Sequence, residues 1–332
     1  MNETKKDKVA EIVTRRIVEA LEEIIKTGEG SVPWQKPWKT TYLGDGTTCY
    51  GAMNAISCKP YRGINQIILG FFHGYEDKLW YLSRKQILNL GFRIKSEEYK
   101  NDIPILFWGK KKIEEDVEDK NGNVKTQKKF FWFKRFYSVY HFSQIDAPIE
   151  DILAKLPLAK KVKAAEEAKK SGKAPVFDCI KAAEDVVANM PKKPAISENG
   201  GDRAYYVPSS DSIHMPKREN FISNSSFYST LFHEIVHSTG HESRLGRKSL
   251  MEFNGFGSHE YSKEELVAEI GANMILSTIQ IDTKTENQNT IAYCKSWLAK
   301  LRDDVNFVID AAAKAQKAVD FILDTAPVYD NE

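Results

Sequence analysis

Cysteine is scarce in this chain of 332 residues: Cys49, Cys58, Cys179 and Cys294 stand far apart, and no two of them form a Cys-x-x-Cys pair. That excludes a thiolate zinc site and gives no basis for a disulfide framework, and it fits a reducing compartment. Long apolar runs are lacking as well. No stretch approaches the ~20 residues of a membrane-spanning helix, and the first eight residues are polar where a secretory signal would be apolar. The expectation is a cytoplasmic protein with no membrane attachment. An excess of one charge is missing too: 48 Lys plus Arg face 46 Asp plus Glu, and a net charge of +2 points to no partner by itself. With only seven histidines in the chain, any regular spacing among them carries weight.

What is present is the composition of a folded globular protein, 42% hydrophobic and 28% charged, at a length that allows two domains. Val9, Ile12, Val13, Ile17, Leu21, Ile24 and Ile25 recur at helical spacing and predict an amphipathic helix over residues 9–26, closed by Gly28 and Gly30. Residues 32–72 are rich in aromatics and turn formers, and 79–90 resume a helical pattern that Gly91 stops. Residues 105–108 and 130–142 have strand composition, with 114–124 between them read as an exposed hairpin loop. The domain boundaries expected from these shifts are 1–146 for an α+β first domain, 147–176 for a lysine-rich, solvated linker helix, and 177–332 for the second. A basic helix can also touch phosphate, but a charged connector is the plainer reading. Helices over 178–189, 225–240, 263–278, 289–301 and 305–323, with a short strand near 203–208, make the second domain mainly helical with a small sheet. The fold class is α+β.

The strongest chemical signal is His233-Glu234-Ile235-Val236-His237. This is the His-Glu-x-x-His pattern: one helical turn between the two imidazoles places both on one face, aimed at a single ion. Neutral imidazole suits Zn2+, and three protein ligands leave one position open for water. Glu234, beside the first histidine, is the candidate general base. Phe232, Ile235 and Val236 supply the apolar contacts of a buried helix, with Asn224 or Ser225 as N-cap and Gly240 as stop. A third ligand must come from elsewhere, and the segment Lys263-Glu264-Glu265-Leu266-Val267-Ala268-Glu269-Ile270-Gly271-Ala272-Asn273 offers Glu265 and Glu269 on one face. Ala268, Gly271 and Ala272 are small enough to let this helix approach the motif helix closely. One carboxylate would bind metal and the other would accept a hydrogen bond from a ligand imidazole; spacing alone leaves open which does which, and leaves open an acidic face that merely meets solvent. The pattern resembles the gluzincin group of zinc peptidases, and that resemblance implies Glu265 as ligand and Glu269, four residues on, behind a histidine. His241 and His259 are weaker rivals, His214 is uninformative, and Ser243 stands where a metzincin would carry its third histidine. In peptidases of this kind the substrate lies along an edge strand, for which residues 203–207 are the candidate.

In the first domain Trp34, Trp38, Tyr50, Tyr61 and Trp80 are interleaved with Lys36, Lys39, Lys59, Arg62, Arg84, Lys85 and Arg93. Flat rings can stack on unpaired bases while cations offset phosphates. Over residues 1–112 there are 19 Lys plus Arg against 13 Asp plus Glu, a modest excess that core tryptophans and a solvated charged face explain equally well. Trp34-Gln35-Lys36-Pro37-Trp38, then Asn54-Ala55, then Tyr61-Arg62-Gly63-Ile64-Asn65 resemble the single-stranded-DNA-binding domain of the ArdC antirestriction family. FHEIVHSTGHESRL (232–245) and EELVAEIGA (264–272) are similar to the same family, in the same order. The likeness is thin over 114–127 and over the lysine-rich connector, which read as insertions. It implies single-stranded DNA as partner, Trp34, Lys36, Trp38, Asn54, Tyr61, Arg62, Asn65 and Trp80 as contact residues, and a zincin-like metallopeptidase domain that acts on a protein or peptide. The implied role is shielding the incoming DNA of mobile elements from restriction, which need not involve proteolysis. The other readings are a DNA-binding protein with a purely structural or vestigial zinc site, and a stand-alone metallopeptidase.

Overall fold

The computed structural model describes residues 3–27, 32, 34, 40–42, 48–71, 79–118, 124–171, 178–251, 259–281 and 290–325. Helix α1 (Glu3–Thr27) opens the chain and buries Val13, Ile17 and Leu21, the positions its periodicity predicts. Strands β1 (Thr40–Tyr42) and β2 (Thr48–Tyr50) pair with each other. A five-stranded sheet follows, built from β3 (Met53–Asn54), β4 (Lys59–Pro60), β5 (Trp80–Ser83), β6 (Ile103–Glu118) and β7 (Val124–His141) in the order β4-β3-β5-β7-β6. Only β3 and β5 run parallel in it; helix α2 (Ile64–Phe71) links β4 to β5.

Two sequence expectations change here. Residues 79–90 are not one helix: the apolar run of β5 comes first, and Ser83 then starts α3 (Arg84–Asn89) through a capping box with Gln86. The hairpin loop expected over 114–124 is mostly strand, since Glu114 pairs with Lys128 and Glu118 with Val124 in an unbroken ladder from Ile103↔Val139. The acidic composition suggests a loop, but the ladder continues through it, with Glu114 in register with Lys128.

Alternation along β5 sends its side chains to two cores. Tyr81 enters the larger one, while Trp80 and Leu82 join Met53, Ile87, Tyr140 and Phe142 in a smaller one. That smaller core also takes Ile152 from α4 (Ile149–Ala154) and Leu158 from α5 (Leu158–Lys170). The lysine-rich connector is thus two helices, broken at Pro157 and docked at its start.

After α6 (Cys179–Asn189), capped by Asp178, strands β8 (Ala195–Ser197), β9 (Tyr205–Val207) and β10 (Ser212–His214) form a second sheet in the order β8-β10-β9. The expected strand near 203–208 is β9, and it lies at an edge. Helices α7 (Asn224–Ser238), α8 (Lys248–Met251), α9 (His259–Thr278), α10 (Thr290–Asp303) and α11 (Phe307–Ile322) complete the chain. The N-cap of α7 is Ser223, whose Oγ accepts from the Ser226 N–H at 3.0 Å, and not Asn224 or Ser225. The larger core is continuous from Val13, Ile17 and Ile67 to Phe232, Val267 and Ala312. Cross-links between its ends include Thr14 Oγ1 to the Val305 carbonyl at 2.7 Å and Trp34 against Trp297.

Candidate metal centre

Helices α7 and α9 are buried on nearly every side. Leu231, Phe232, Ile235 and Val236 on one, and Leu266, Val267, Ala268, Ile270 and Ala272 on the other, are almost fully enclosed. Such helices sit at the centre of a fold. They approach closely because Gly271 carries no side chain: a Cβ there would stand 2.9 and 3.0 Å from the two Val236 methyls.

This approach brings His233 and His237 of α7 to Glu265 of α9. Among the described residues these three form a group whose ligand-capable atoms lie within 4.8 Å of one another. The Nε2 atoms of the two imidazoles are 3.1 Å apart. Glu265 Oε2 is 3.5 Å from Nε2 of His233, and its Oε1 is 3.4 Å from Nε2 of His237. Both Nε2 lone-pair positions and one carboxylate therefore face a common point. The side chain of His233 is 23% exposed against 10% for His237, so the centre meets solvent on the His233 side. Glu234 is buried next to it on α7, and its charge is felt at His233.

Each Nδ1 has its own carboxylate behind it. Glu269 Oε2 lies 3.6 Å from Nδ1 of His233, and Asn273 Nδ2 donates to Glu269. Glu264 Oε1 lies 3.4 Å from Nδ1 of His237. This crowd of carboxylates governs the titration of the centre. Burial pushes the His233 imidazole down, but Glu265 and Glu269 outweigh it and hold it well above its ordinary value. His237 follows the same pattern through Glu264 and Glu265 and is held up to about 9. Burial raises the carboxyls of Glu264 and Glu265, yet the histidines, and Arg247 beside Glu264, carry both well below the usual carboxylate range.

Two arginines take the carbonyls left free at the end of α7. Arg247 Nη2 donates to the Val236 carbonyl at 2.8 Å, and Arg244 Nε to that of Ser238 at 2.7 Å. Arg244 also pairs with Asp211, which accepts from the Tyr206 hydroxyl at 2.8 Å, tying α7 to the small sheet. Sequence reasoning missed Glu264, Arg247 and Ser249, since nothing in their spacing announces a shared partner. The rival histidines stand elsewhere: His241 faces Ser243 at 2.8 Å, and His214 lies between Asn199 and Ser212. Of His259 the backbone opens α9, and its side chain lies outside the described residues.

The amino-terminal candidates fare differently. Lys36 and Trp38 lie outside the described residues. Trp34 and Trp80 are 1% and 2% exposed, packed edge-to-face on Trp297 and Phe142, so neither offers a ring to a base; their stacking assignment is corrected to a core role. Arg62 is ion-paired with Asp320 of α11, and Gln316 of the same helix accepts from the Gly63 N–H at 2.8 Å. Asn65 clamps the Leu106 backbone, donating to its carbonyl and accepting from its N–H at 2.6 and 2.7 Å. Asn54 shapes its own turn, accepting from the Ile56 and Ser57 N–H groups, and reaches Gln86 at 3.1 Å; half-buried Tyr61 lies beside it. Much of this motif is thus engaged in tertiary structure, while Lys59, Arg84, Lys85 and Arg93 remain exposed.

Comparison with known proteins extends this geometry. Residues 7–140 match the family model of the N-terminal domain of anti-restriction factor ArdC, and residues 181–314 match that of a zincin-like metallopeptidase. The crystal structure of the antirestriction ArdC protein from plasmid R388 matches over 94% of this chain and 96% of its own in the metal-free form, with a TM-score of 0.62 and 27% identity. The chain belongs to the ArdC family. The Mn(II)-bound R388 ArdC structure matches equally, at a TM-score of 0.64, 26% identity, and 95% and 97% coverage. Two DNA primase TraC proteins of Escherichia coli are 33% identical over 323 residues, 94% of this ArdC-family chain, which spans only 20% and 27% of their length. An uncharacterized protein of Sinorhizobium fredii is 28% identical over 95% of this chain and 91% of its own. Both acidic and histidine blocks of the centre fall inside the zincin-like match, and all eight amino-terminal candidates inside the ArdC one. No helix of the described residues is long and apolar enough to cross a membrane.

Proposed function

We propose that this ArdC-family chain holds single-stranded DNA through residues 1–146 and, after a connector at 147–176, carries a zinc-dependent metallopeptidase site in residues 177–332. The observation that carries the hydrolytic half is the convergence of His233, His237 and Glu265 within 4.8 Å. Two imidazoles and one carboxylate are a catalytic zinc donor set that leaves a position open, and imidazole favours zinc over manganese. The Mn(II)-bound R388 relative supports a divalent ion in such a centre. When bound, the ion supplies Lewis acidity toward water and a peptide carbonyl. The chain's own residues do the rest. His233, His237 and Glu265 hold the ion, and Glu269 fixes the His233 ring from behind. Glu234 takes a proton from the attacking water and returns it to the leaving amine. Strand β9 has no strand partner on its outer side among the described residues, and an extended peptide can lie along that edge.

For DNA, the support is the ArdC amino-terminal match together with the exposed cations Lys59, Arg84, Lys85 and Arg93, which suit phosphate contacts whose strength falls with salt. The biological role is shielding incoming DNA from restriction, and it is separable from peptide cleavage. The test is Glu234→Gln. It should keep one zinc by elemental analysis and full oligonucleotide binding while peptide cleavage is lost; cleavage at the wild-type rate would remove Glu234 as base.

A further inference from the structure

The two histidines of the centre are backed by carboxylates held in contrasting ways. Glu269, behind His233, has a side chain 23% exposed. Glu264, behind His237, is 3% exposed and enclosed by donors. Arg247 Nε donates to both of its oxygens at 3.1 Å, Nη2 donates to Oε1, and Ser249 Oγ donates to Oε2 at 2.6 Å. The same guanidinium grips the last turn of α7, through the Val236 carbonyl at 2.8 Å and the Thr239 hydroxyl. Arg247 therefore spans the two helices of the centre at the residue before the α9 ligand and at the residue before the second α7 histidine. Gly240 makes room for it: a Cβ there would stand 3.1 and 3.2 Å from the guanidinium and 2.8 Å from Leu250.

A buried ion pair is a poor source of net stability, because desolvation roughly offsets the attraction. Its geometry is what this one contributes. We infer that Glu264, locked by Arg247 and Ser249, is a positioning residue for His237, accepting from its Nδ1–H so that the Nε2 lone pair faces the ion. The inference rests on the metal-site reading above and adds to it a second, rigid carboxylate–histidine unit. Because the Glu264 oxygens are fixed by three donor groups, the His237 ring has one favourable orientation, and the centre is preorganised on that side.

The test compares two double variants, in each of which no unpaired charge is left buried. In Arg247→Met/Glu264→Leu the acceptor is gone. In Arg247→Met/Glu264→Gln the helix-gripping guanidinium is equally gone, but an amide oxygen can still accept from Nδ1–H. Zn2+ affinity is measured by chelator competition, and the Co2+-loaded proteins are compared by visible absorption. The leucine variant should bind Zn2+ on the order of 10–100-fold more weakly than wild type, with an altered Co2+ spectrum, and the glutamine variant should recover most of both. A leucine variant within twofold of wild type overturns the assignment, and so does equal weakening in both variants, which would implicate only the lost guanidinium. Should the leucine variant not fold, Glu264→Asp, which keeps the ion pair but withdraws the acceptor, takes its place: it should weaken Zn2+ binding and alter the Co2+ spectrum in the same direction, and an affinity within twofold of wild type overturns the assignment. Failure of the wild-type chain to bind Zn2+ at all overturns the metal reading itself, and is thereby distinguished from failure of the positioning role.

Discussion

Raising the pH from 7 to 9 should tighten Zn2+ binding by at least about a hundredfold. In the ion-free centre the two Nε2 atoms lie 3.1 Å apart, so one carries a hydrogen and the other accepts it. Burial disfavours a charged imidazole there, but Glu264 and Glu265 outweigh it and hold His237 up to about 9. An ion must displace that proton. At pH 7, two units below 9, that displacement weakens binding by about a hundredfold. Apparent affinity should therefore climb by about tenfold per unit or more up to pH ~9, since the raised His233 imidazole adds to the same trend. The linkage for folding has the opposite sign. The ion-free chain owes its raised imidazole a stabilisation present in full below the unfolded value of 6.5, which is lost as pH rises through about 9. Chelator competition between pH 6.5 and 9.5, corrected for protonation of the chelator, measures the first effect. Calorimetry in buffers of different ionisation enthalpy counts the proton released. An affinity that stays flat from pH 7 to 9, with no proton released at pH 7, would falsify the reasoning.

Gly271→Ala should lower the melting temperature and weaken zinc binding, although alanine is the better helix former by about 1 kcal/mol. The added Cβ meets Val236 at 2.9–3.0 Å and must push α9, with Glu265, off α7, a strain of roughly 1–3 kcal/mol; a higher melting temperature with unchanged affinity would count against the packing argument. Arg62→Ala should cost about 1–2 kcal/mol by denaturant titration, a figure discounted because Arg62 is 33% exposed. Burial already raises the Asp320 carboxyl, and Arg62 opposes this, so the deficit should shrink once pH falls below the Asp320 value; a loss of DNA binding with unchanged stability would restore Arg62 as a contact residue. Trp34→Ala should destabilise by about 3–5 kcal/mol, while oligonucleotide affinity per folded molecule stays the same; selective loss of affinity would mean that the ring does reach DNA.

The core faces were legible wherever one helix or strand decides its own pattern. The α1 periodicity marked Val13, Ile17 and Leu21, and all three are buried. Small residues on the 263–273 segment announced a close helix approach, and Gly271 is where it occurs. Legibility ended where a residue's role depends on what arrives from far along the chain. Trp34 sits among lysines in sequence but against Trp297 in space. Arg62 looked like a phosphate contact until Asp320, 258 positions away, took it. The acidic stretch from Glu114 looked like a loop because its strand partner could not be seen from one side of the ladder.

The sequence by itself determined that two imidazoles one turn apart share a helix face, because a repeat of 3.6 residues per turn is a local property of the backbone. It also supplied the small residues that permit a close helix crossing. Only the tertiary structure decided that Glu265 meets both Nε2 atoms while Glu269 and Glu264 stand behind the rings, and that Arg247 locks one of them. Glu264, Glu265 and Glu269 lie within a turn and a half on one helix, and their sequence spacing does not assign their tasks. The angle and height at which α9 crosses α7 assign them, and packing across the whole chain sets that crossing.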